Sequence, residues 1–176
     1  MSSQYGGKPI FGATLGILML EARFPRIRGD IGNAMTWPFP VQYRVIKGAS
    51  PDKIVRHDPM DMVDRFIEAA KDLVESGCDG ITTNCGFLAL TQERISSALS
   101  VPVATSSLMQ IPMVQALLPP NKKVAVLTIS KKSLTDDHLR AAGISDPRSV
   151  PIFGTDNGRA FTRCILDDYE EINFEH

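Results

Sequence analysis

The chain has 176 residues, of which 43% are hydrophobic and 22% charged, a composition typical of globular proteins. Its formal net charge is −1 and it has no apolar run near the roughly 20 residues that cross a bilayer, so neither nucleic acid nor a membrane is expected as a partner. Three cysteines, an odd number at no metal-ligand spacing, argue for a reducing compartment and against a disulfide scaffold, so a cytoplasmic protein is expected.

The first 118 residues alternate apolar runs with amphipathic segments. Strands are expected at 15–20, 41–46, 81–85 and 101–105. Helices are expected at 58–77, 86–99 and 108–118. The polar segment 21–40 between the first two strands is too long for a simple connection, which favours a functional loop. We expect Trp37 and Phe39 to anchor this loop or to form an oligomer contact.

The Pro119-Pro120 pair separates this region from a second one. Strands are predicted there at 123–129 and 150–153. Helices are predicted from Ser133 to Ala142 and over 157–169. Strands alternating with helices indicate an α/β fold. We therefore expect a parallel-sheet, flavodoxin-like domain in 1–118, followed in 119–176 by an incomplete second α/β domain of similar kind.

Cys85 is the residue with the strongest chemical interest, because it lies where a strand passes into a helix. The positive end of a helix dipole would stabilise its thiolate. Gly86 allows close approach of a ligand, and Thr83 and Asn84 offer polar groups to an anionic substrate. A buried structural cysteine explains the same position equally well.

Other reactive residue types lack such a setting. Cys78 and Cys164 fit a packing role, and His57, His138 and His176 are expected on the surface. With no histidine at a strand end to activate Cys85, a cysteine hydrolase is disfavoured.

Three arginines lie in the long polar loop, namely Arg23, Arg26 and Arg28. A loop at this position overhangs the strand ends, so one of them could bind a substrate carboxylate, and Arg23 is our candidate. The alternative is an ion-paired loop.

Residues 81–87, Ile-Thr-Thr-Asn-Cys-Gly-Phe, resemble the first catalytic cysteine motif of the aspartate/glutamate/hydantoin racemase superfamily. The segments 16–26, 29–33, 38–40, 101–107 and 123–128 resemble the same superfamily in order and spacing. The resemblance implies two facing α/β domains, each with one cysteine. One thiolate removes the α-proton and the opposite thiol reprotonates the other face, without pyridoxal phosphate or metal.

By this resemblance Cys85 is an acid/base, while Thr83, Asn84 and Gly86 bind the substrate carboxylate. The cleft would also be lined by Thr105, Ser106 and Thr128. The second cysteine motif of the superfamily does not occur in this sequence, and Cys164 lies in a helical pattern. We therefore expect a truncated second domain, and a homodimer that buries the surface left uncovered.

The leading hypothesis is a cofactor-independent amino-acid racemase, of which this chain holds one half-site. A decarboxylase or isomerase acting on a dicarboxylic acid with one cysteine is the second hypothesis. The third is a non-catalytic remnant that binds a small carboxylate.

Overall fold

A computed structural model describes residues 5–158 and 160–172. Its main sheet has four parallel strands in the order β2-β1-β3-β4. These strands are β1 (Leu15–Leu20), β2 (Val41–Ile46), β3 (Gly80–Thr83) and β4 (Val103–Ala104). The order is that of the first four strands in flavodoxin-like sheets, in which ligands bind at the carboxyl ends of the strands. The predicted α/β fold with a parallel sheet is confirmed.

The strand β1 lies in the middle of the sheet and is almost completely buried, as its unbroken apolar run predicts. Gly16 allows close packing there, because a Cβ at that position would lie 2.8 Å from the end of the Ile81 side chain on β3. The register pairs Leu18 with Thr83, so the ends of β1 and β3 lie side by side. This pairing places the residues after Thr83 at the carboxyl edge of the sheet.

Six α-helices occur in the described residues. They are α1 (Pro51–Arg56), α2 (Val63–Ser76), α3 (Gln92–Ser97), α4 (Ile111–Leu117), α5 (Asp136–Ala141) and α6 (Phe161–Leu166). The helix α2 buries Phe66 and Leu73 against the sheet, and it ends at Gly77, whose φ of 118° is left-handed. The short helix α1 was not predicted, although Ser50 caps it and Pro51 opens it.

Three of the predicted helices begin as 3-10 helix. The 3-10 segments Pro59–Met62, Gly86–Thr91 and Ser107–Gln110 precede α2, α3 and α4. In the first and third segments the side chain of the preceding residue, Asp58 or Ser106, accepts the N–H two residues ahead. This short-range bond favours the tighter turn.

The second region forms a two-stranded parallel sheet of β5 (Val126–Thr128) and β6 (Ile152–Gly154). The helix between them, α5, is capped by Thr135 rather than by the predicted Ser133, because Thr135 and His138 form a capping box. Buried side chains from both regions, including Leu88 and Leu139, belong to one apolar cluster. In the part of the chain that the structure describes, no helix is long and apolar enough to cross a membrane. The proposed division at residue 118 and the expected homodimer stay predictions.

Candidate functional site

Cys85 follows β3 in extended conformation and directly precedes the 3-10 segment Gly86–Thr91. Thr83 fixes this turn: its hydroxyl donates to the Thr105 carbonyl oxygen at 2.7 Å and accepts the Cys85 N–H at 3.3 Å. The side chain of Thr83 is only 6% exposed. It therefore joins the ends of β3 and β4 and holds Cys85 in place, which differs from the substrate contact that the resemblance implied.

Asn84 is attached to the neighbouring strand on both its backbone and its side chain. Its N–H donates to the Leu18 carbonyl oxygen at 3.1 Å, and its Oδ1 accepts the Leu20 N–H at 2.9 Å. Since Oδ1 is engaged in this way, the group that Asn84 can offer to a ligand is its Nδ2 amide. Gly86 lies next to Ser106, whose Oγ would be 3.4 Å from an added Cβ.

A cavity of about 160 Å³ opens beside Cys85 at the carboxyl edge of the main sheet. Its wall is mostly apolar, and its polar side chains are those of Arg26, Asn84 and Cys85. The lining residues are Leu20, Phe24, Arg26, Pro51, Val55, Asn84, Cys85, Gly86, Phe87, Ile129 and Ile165. Ile129 follows β5 and Ile165 lies in α6, so the second region contributes part of the cavity wall.

The Cys85 thiol has a pKa raised to about 11. Burial is the main cause, and it outweighs three smaller effects that lower the pKa: the backbone N–H groups of Phe87 and Leu88, and the positive charge of Arg26. The expected stabilisation of a thiolate is therefore wrong for the free protein, because loss of hydration costs the anion more than these dipoles and charges return. Cys85 rests as a neutral thiol at neutral pH.

Arg26 is the arginine of the long loop that reaches the cavity, and Arg23 is not. The Arg23 guanidinium pairs with Glu170 at 2.6 Å, and its backbone N–H donates to Asp168 at 2.6 Å. Its side chain is 73% exposed, against 14% for Arg26. The sequence could not rank the arginines, because the path of the loop decides which one points inward.

Three other candidates do not line the Cys85 cavity. The Thr105 N–H and hydroxyl both donate to Gln92 Oε1 at 2.9 Å, and the residue is 1% exposed. Ser106 accepts the Leu108 N–H at the start of a 3-10 segment. Thr128 ends β5, and its neighbour Ile129 lines the cavity instead. Thr105 accepts the Thr83 hydroxyl, and Ser106 lies beside Gly86, so both are neighbours of the residues that flank Cys85.

The remaining cysteines are both buried away from the cavity. The Cys78 thiol lies 3.9 Å from the Ala13 carbonyl oxygen and the Cys164 thiol 3.5 Å from that of Tyr169, and burial raises the pKa of each.

The surface position expected for His138 is wrong: it is 5% exposed, packs edge-on against Phe87, and has a pKa lowered by burial. Across 5–158 and 160–172, no group of three His, Cys, Asp or Glu residues could hold a metal ion. His57 is exposed, and His176 lies outside the described residues.

A larger cavity of about 790 Å³, which the sequence did not reveal, lies at the carboxyl ends of β5 and β6. It is separated from the first by Val55 and Ile129, which line both. Asp156 occupies its polar end, where its carboxylate accepts the Ser130 hydroxyl at 2.9 Å and the Lys131 N–H at 2.8 Å. These donors lower the pKa of Asp156, so the loop after β5 already holds an anion belonging to the chain.

Comparisons with known proteins give relatives of one kind by sequence. The chain is 34% identical over 122 residues to dimethylsulfoniopropionate lyase 3 of Emiliania huxleyi strain CCMP1516. This alignment covers 69% of this chain and 32% of the relative. The chain is 30% identical over 129 residues to a dimethylsulfoniopropionate lyase of Durusdinium sp. clade D, covering 72% of this chain and 42% of the relative. The chain shares 25% identity over 170 residues with dimethylsulfoniopropionate lyase 2 of Emiliania huxleyi, and this alignment covers 92% of this chain and 47% of the relative.

The chain thus spans between about a third and a half of the length of these curated relatives. No family model matches it. Among solved structures, an aspartate racemase homologue from Pyrococcus horikoshii OT3 aligns over 88% of this chain and 70% of that one, at 15% identity and a TM-score of 0.46. The curated relatives are named as lyases, and the racemase activity that the sequence motif implied is not confirmed.

Proposed function

We propose that this chain carries the proton-transfer site of a lyase that removes the proton next to the carboxylate of dimethylsulfoniopropionate and releases dimethyl sulfide. The observation that carries the proposal is the cavity in which Cys85, Arg26 and Asn84 are the polar side chains of an otherwise apolar wall. The similarity to proteins named as lyases of that compound supports the choice of substrate. Because the chain covers only part of those proteins, the activity is proposed for the site that it contributes.

The elimination needs one base. The Cys85 thiolate takes a proton from the carbon next to the carboxylate, and the electron pair of that C–H bond forms a carbon–carbon double bond. The bond from the neighbouring carbon to the sulfonium sulfur breaks, and its electron pair leaves with dimethyl sulfide. The products are dimethyl sulfide, acrylate and a neutral Cys85 thiol, which returns its proton to water.

The electrostatics of the cavity suit a substrate that brings its own positive charge. Burial holds Cys85 in the neutral form, with a pKa of about 11. A sulfonium group bound in the same cavity would favour the thiolate, since an opposite charge a few ångströms away stabilises the charged form. A thiolate with a high pKa is also a strong base, which helps with a weakly acidic C–H bond.

Racemisation is the second candidate, because the motif around Cys85 resembles that of the racemases and the first proton abstraction is the same. Racemisation also needs an acid on the opposite face of the substrate. The residues that the second region contributes to the cavity wall, Ile129 and Ile165, have no proton to give. Among the described lining residues, Cys85 is the one group with a suitable acid–base range, and this favours elimination.

The test is to incubate the purified chain with dimethylsulfoniopropionate in heavy water. Headspace gas chromatography measures dimethyl sulfide, and proton NMR measures acrylate and loss of the proton next to the carboxylate. Equal amounts of both products, lost in Cys85→Ser and kept in the matched variant Cys78→Ala, are expected. Absence of both products and of deuterium exchange would overturn the proposal.

The same NMR assay with each enantiomer of aspartate and glutamate separates the two candidates. No exchange is expected with these amino acids. Cys85-dependent exchange of an amino-acid α-proton, without dimethyl sulfide from the sulfonium compound, would replace the lyase with a racemase half-site.

A further inference from the structure

Arg26 is held in one orientation by the loop around it. Its Nη1 donates to both carboxylate oxygens of Asp30, at 2.9 and 3.2 Å, and its guanidinium lies 4.4 Å from the centre of the Phe24 ring. Its aliphatic part packs against Gly32, where an added Cβ would lie 2.8 Å from Arg26 Cδ. Asn33 closes the loop by donating its Nδ2 to the Arg26 carbonyl oxygen at 2.8 Å. A flexible side chain is thereby fixed before any ligand binds.

The other terminal nitrogen of this fixed group has no partner. Arg26 Nη2 is buried and, among the described residues, makes no hydrogen bond. A buried donor without an acceptor costs free energy, more so when it belongs to a charged group, so such groups in native proteins call for an explanation. Arg26 also lines the cavity that contains Cys85. Nη2 itself has almost no solvent-accessible surface, so an acceptor in the cavity reaches it through a small rotation of the guanidinium.

We propose that Arg26 Nη2 binds the carboxylate of a small substrate in the Cys85 cavity and so selects carboxylates over the corresponding amides. The inference rests on the proposed function, because it names the group that holds the substrate of that same site. Because Asp30 already occupies Arg26 Nη1, the substrate carboxylate is bound through Nη2 alone and not by Nη1 and Nη2 together. The Nδ2 amide of Asn84, in the same lining, is a second donor for it.

The size of the cavity fits a short acid at this position. Its volume of about 160 Å³ corresponds to roughly five water molecules at about 30 Å³ each. Apart from its three polar side chains, the cavity is lined by apolar ones, among them Leu20, Val55 and Ile129. A carboxylate anchored at Arg26 therefore places its carbon chain against apolar wall and beside the Cys85 sulfur.

The test compares two alkylating reagents that differ in charge and have similar size. Iodoacetate carries a carboxylate, whereas iodoacetamide carries a neutral amide. Alkylation of Cys85 is followed by peptide mass spectrometry, and the ratio of the two rate constants is divided by the same ratio for glutathione. A change in the pKa of Cys85 alters both rates together, so this normalised ratio reports recognition of the carboxylate.

We expect the normalised ratio to be about 10 in the unaltered chain, the size of one charge-assisted hydrogen bond. It should fall to about 1 in Arg26→Gln and stay near 10 in Arg23→Gln, the matched control from the same loop. Arg26→Lys keeps the charge but lacks the forked group, so it should lose most of the preference. Melting curves followed by circular dichroism are the control that each variant is folded.

A ratio of about 1 in the unaltered chain, or a ratio that Arg26→Gln and Arg26→Lys leave unchanged, would overturn the inference. Protection gives an independent check: propionate should slow the alkylation of Cys85 by iodoacetamide, and propionamide should not. Release of dimethyl sulfide without any carboxylate preference would leave the lyase proposal standing and remove Arg26 from it. A carboxylate preference that depends on Arg26, without release of dimethyl sulfide, would keep Arg26 as the carboxylate-binding residue and overturn the lyase proposal.

Discussion

The alkylation rate of Cys85 depends directly on its raised pKa. With a pKa of about 11, roughly one molecule in 1,000 carries the thiolate at pH 8, whereas a free cysteine with a pKa of about 8.5 is about one-quarter ionised. The more basic thiolate is also the better nucleophile, so the Cys85 thiolate itself reacts about 10-fold faster than the thiolate of a free cysteine. The net expectation is that neutral iodoacetamide modifies Cys85 about 20-fold more slowly than it modifies glutathione at pH 8.

The pH dependence separates a raised pKa from simple shielding of the sulfur. The rate for Cys85 should rise about tenfold per pH unit from pH 7 to 10, while the rate for glutathione levels off above about pH 9. Peptide mass spectrometry distinguishes Cys85 from the buried Cys78 and Cys164. A rate for Cys85 that exceeds that of glutathione at pH 7 and is flat from pH 7 to 9 would refute the reasoning, because it would show a stabilised thiolate.

The same shift affects stability with a definite sign. The folded state keeps the Cys85 proton to higher pH than the unfolded chain, so its contribution is fully present below about pH 9 and is lost as the pH rises toward 11. A shift of about two units corresponds to about 3 kcal/mol. Urea titrations at pH 8 and 10.5 should show a smaller fall in the free energy of unfolding for Cys85→Ser than for the unaltered chain. An equal fall in the free energy of unfolding in both proteins would contradict the raised pKa of Cys85.

Three substitutions test the packing that positions the site, each by urea or thermal unfolding. Phe66→Ala should cost about 3–5 kcal/mol, because Phe66 is fully buried between α2 and the sheet. Thr83→Val should cost about 1–3 kcal/mol, since it leaves the buried Thr105 carbonyl oxygen without its donor. Gly77→Ala should cost about 1–3 kcal/mol, because its left-handed φ is strained for alanine and the new Cβ would meet the Ile10 carbonyl oxygen.

Leu117→Ala serves as the matched control for these three variants, because Leu117 is 78% exposed and its truncation should change stability by less than about 0.5 kcal/mol. A Thr83→Val protein as stable as the unaltered chain would remove Thr83 from the support of Cys85. Full stability of Gly77→Ala would show that the end of α2 does not need a left-handed residue.

Elements with a strong local signal could be predicted to the residue. The apolar run of β1 and the β-branched and aromatic residues of β2 correspond to the observed strands Leu15–Leu20 and Val41–Ile46. The periodic apolar face of α2 and its terminal Gly77 were equally clear. The helix α1 was missed, because six residues are too few to show a helical period, although Ser50-Pro51 marks its start.

The position of Cys85 after β3 follows from chain order alone, because a buried strand and the helical segment after it are both legible in the residues. Two properties of the site were not legible. Arg26 faces the cavity and Arg23 pairs with Glu170, a distinction set by contacts from the far end of the chain. Thr105 and Ser106 were expected in the cleft, yet their polar atoms are used by Gln92 and Leu108.

The sequence by itself determined that this protein has a parallel α/β sheet and that a cysteine stands at its carboxyl edge. These properties depend on local patterns of apolar and polar residues along the chain. Only the tertiary structure decided that Cys85 is a half-buried neutral thiol in a cavity that Arg26, Ile129 and Ile165 also line. Burial, and therefore the cost of a charge, depends on which distant segments pack over a residue, and no local pattern records that.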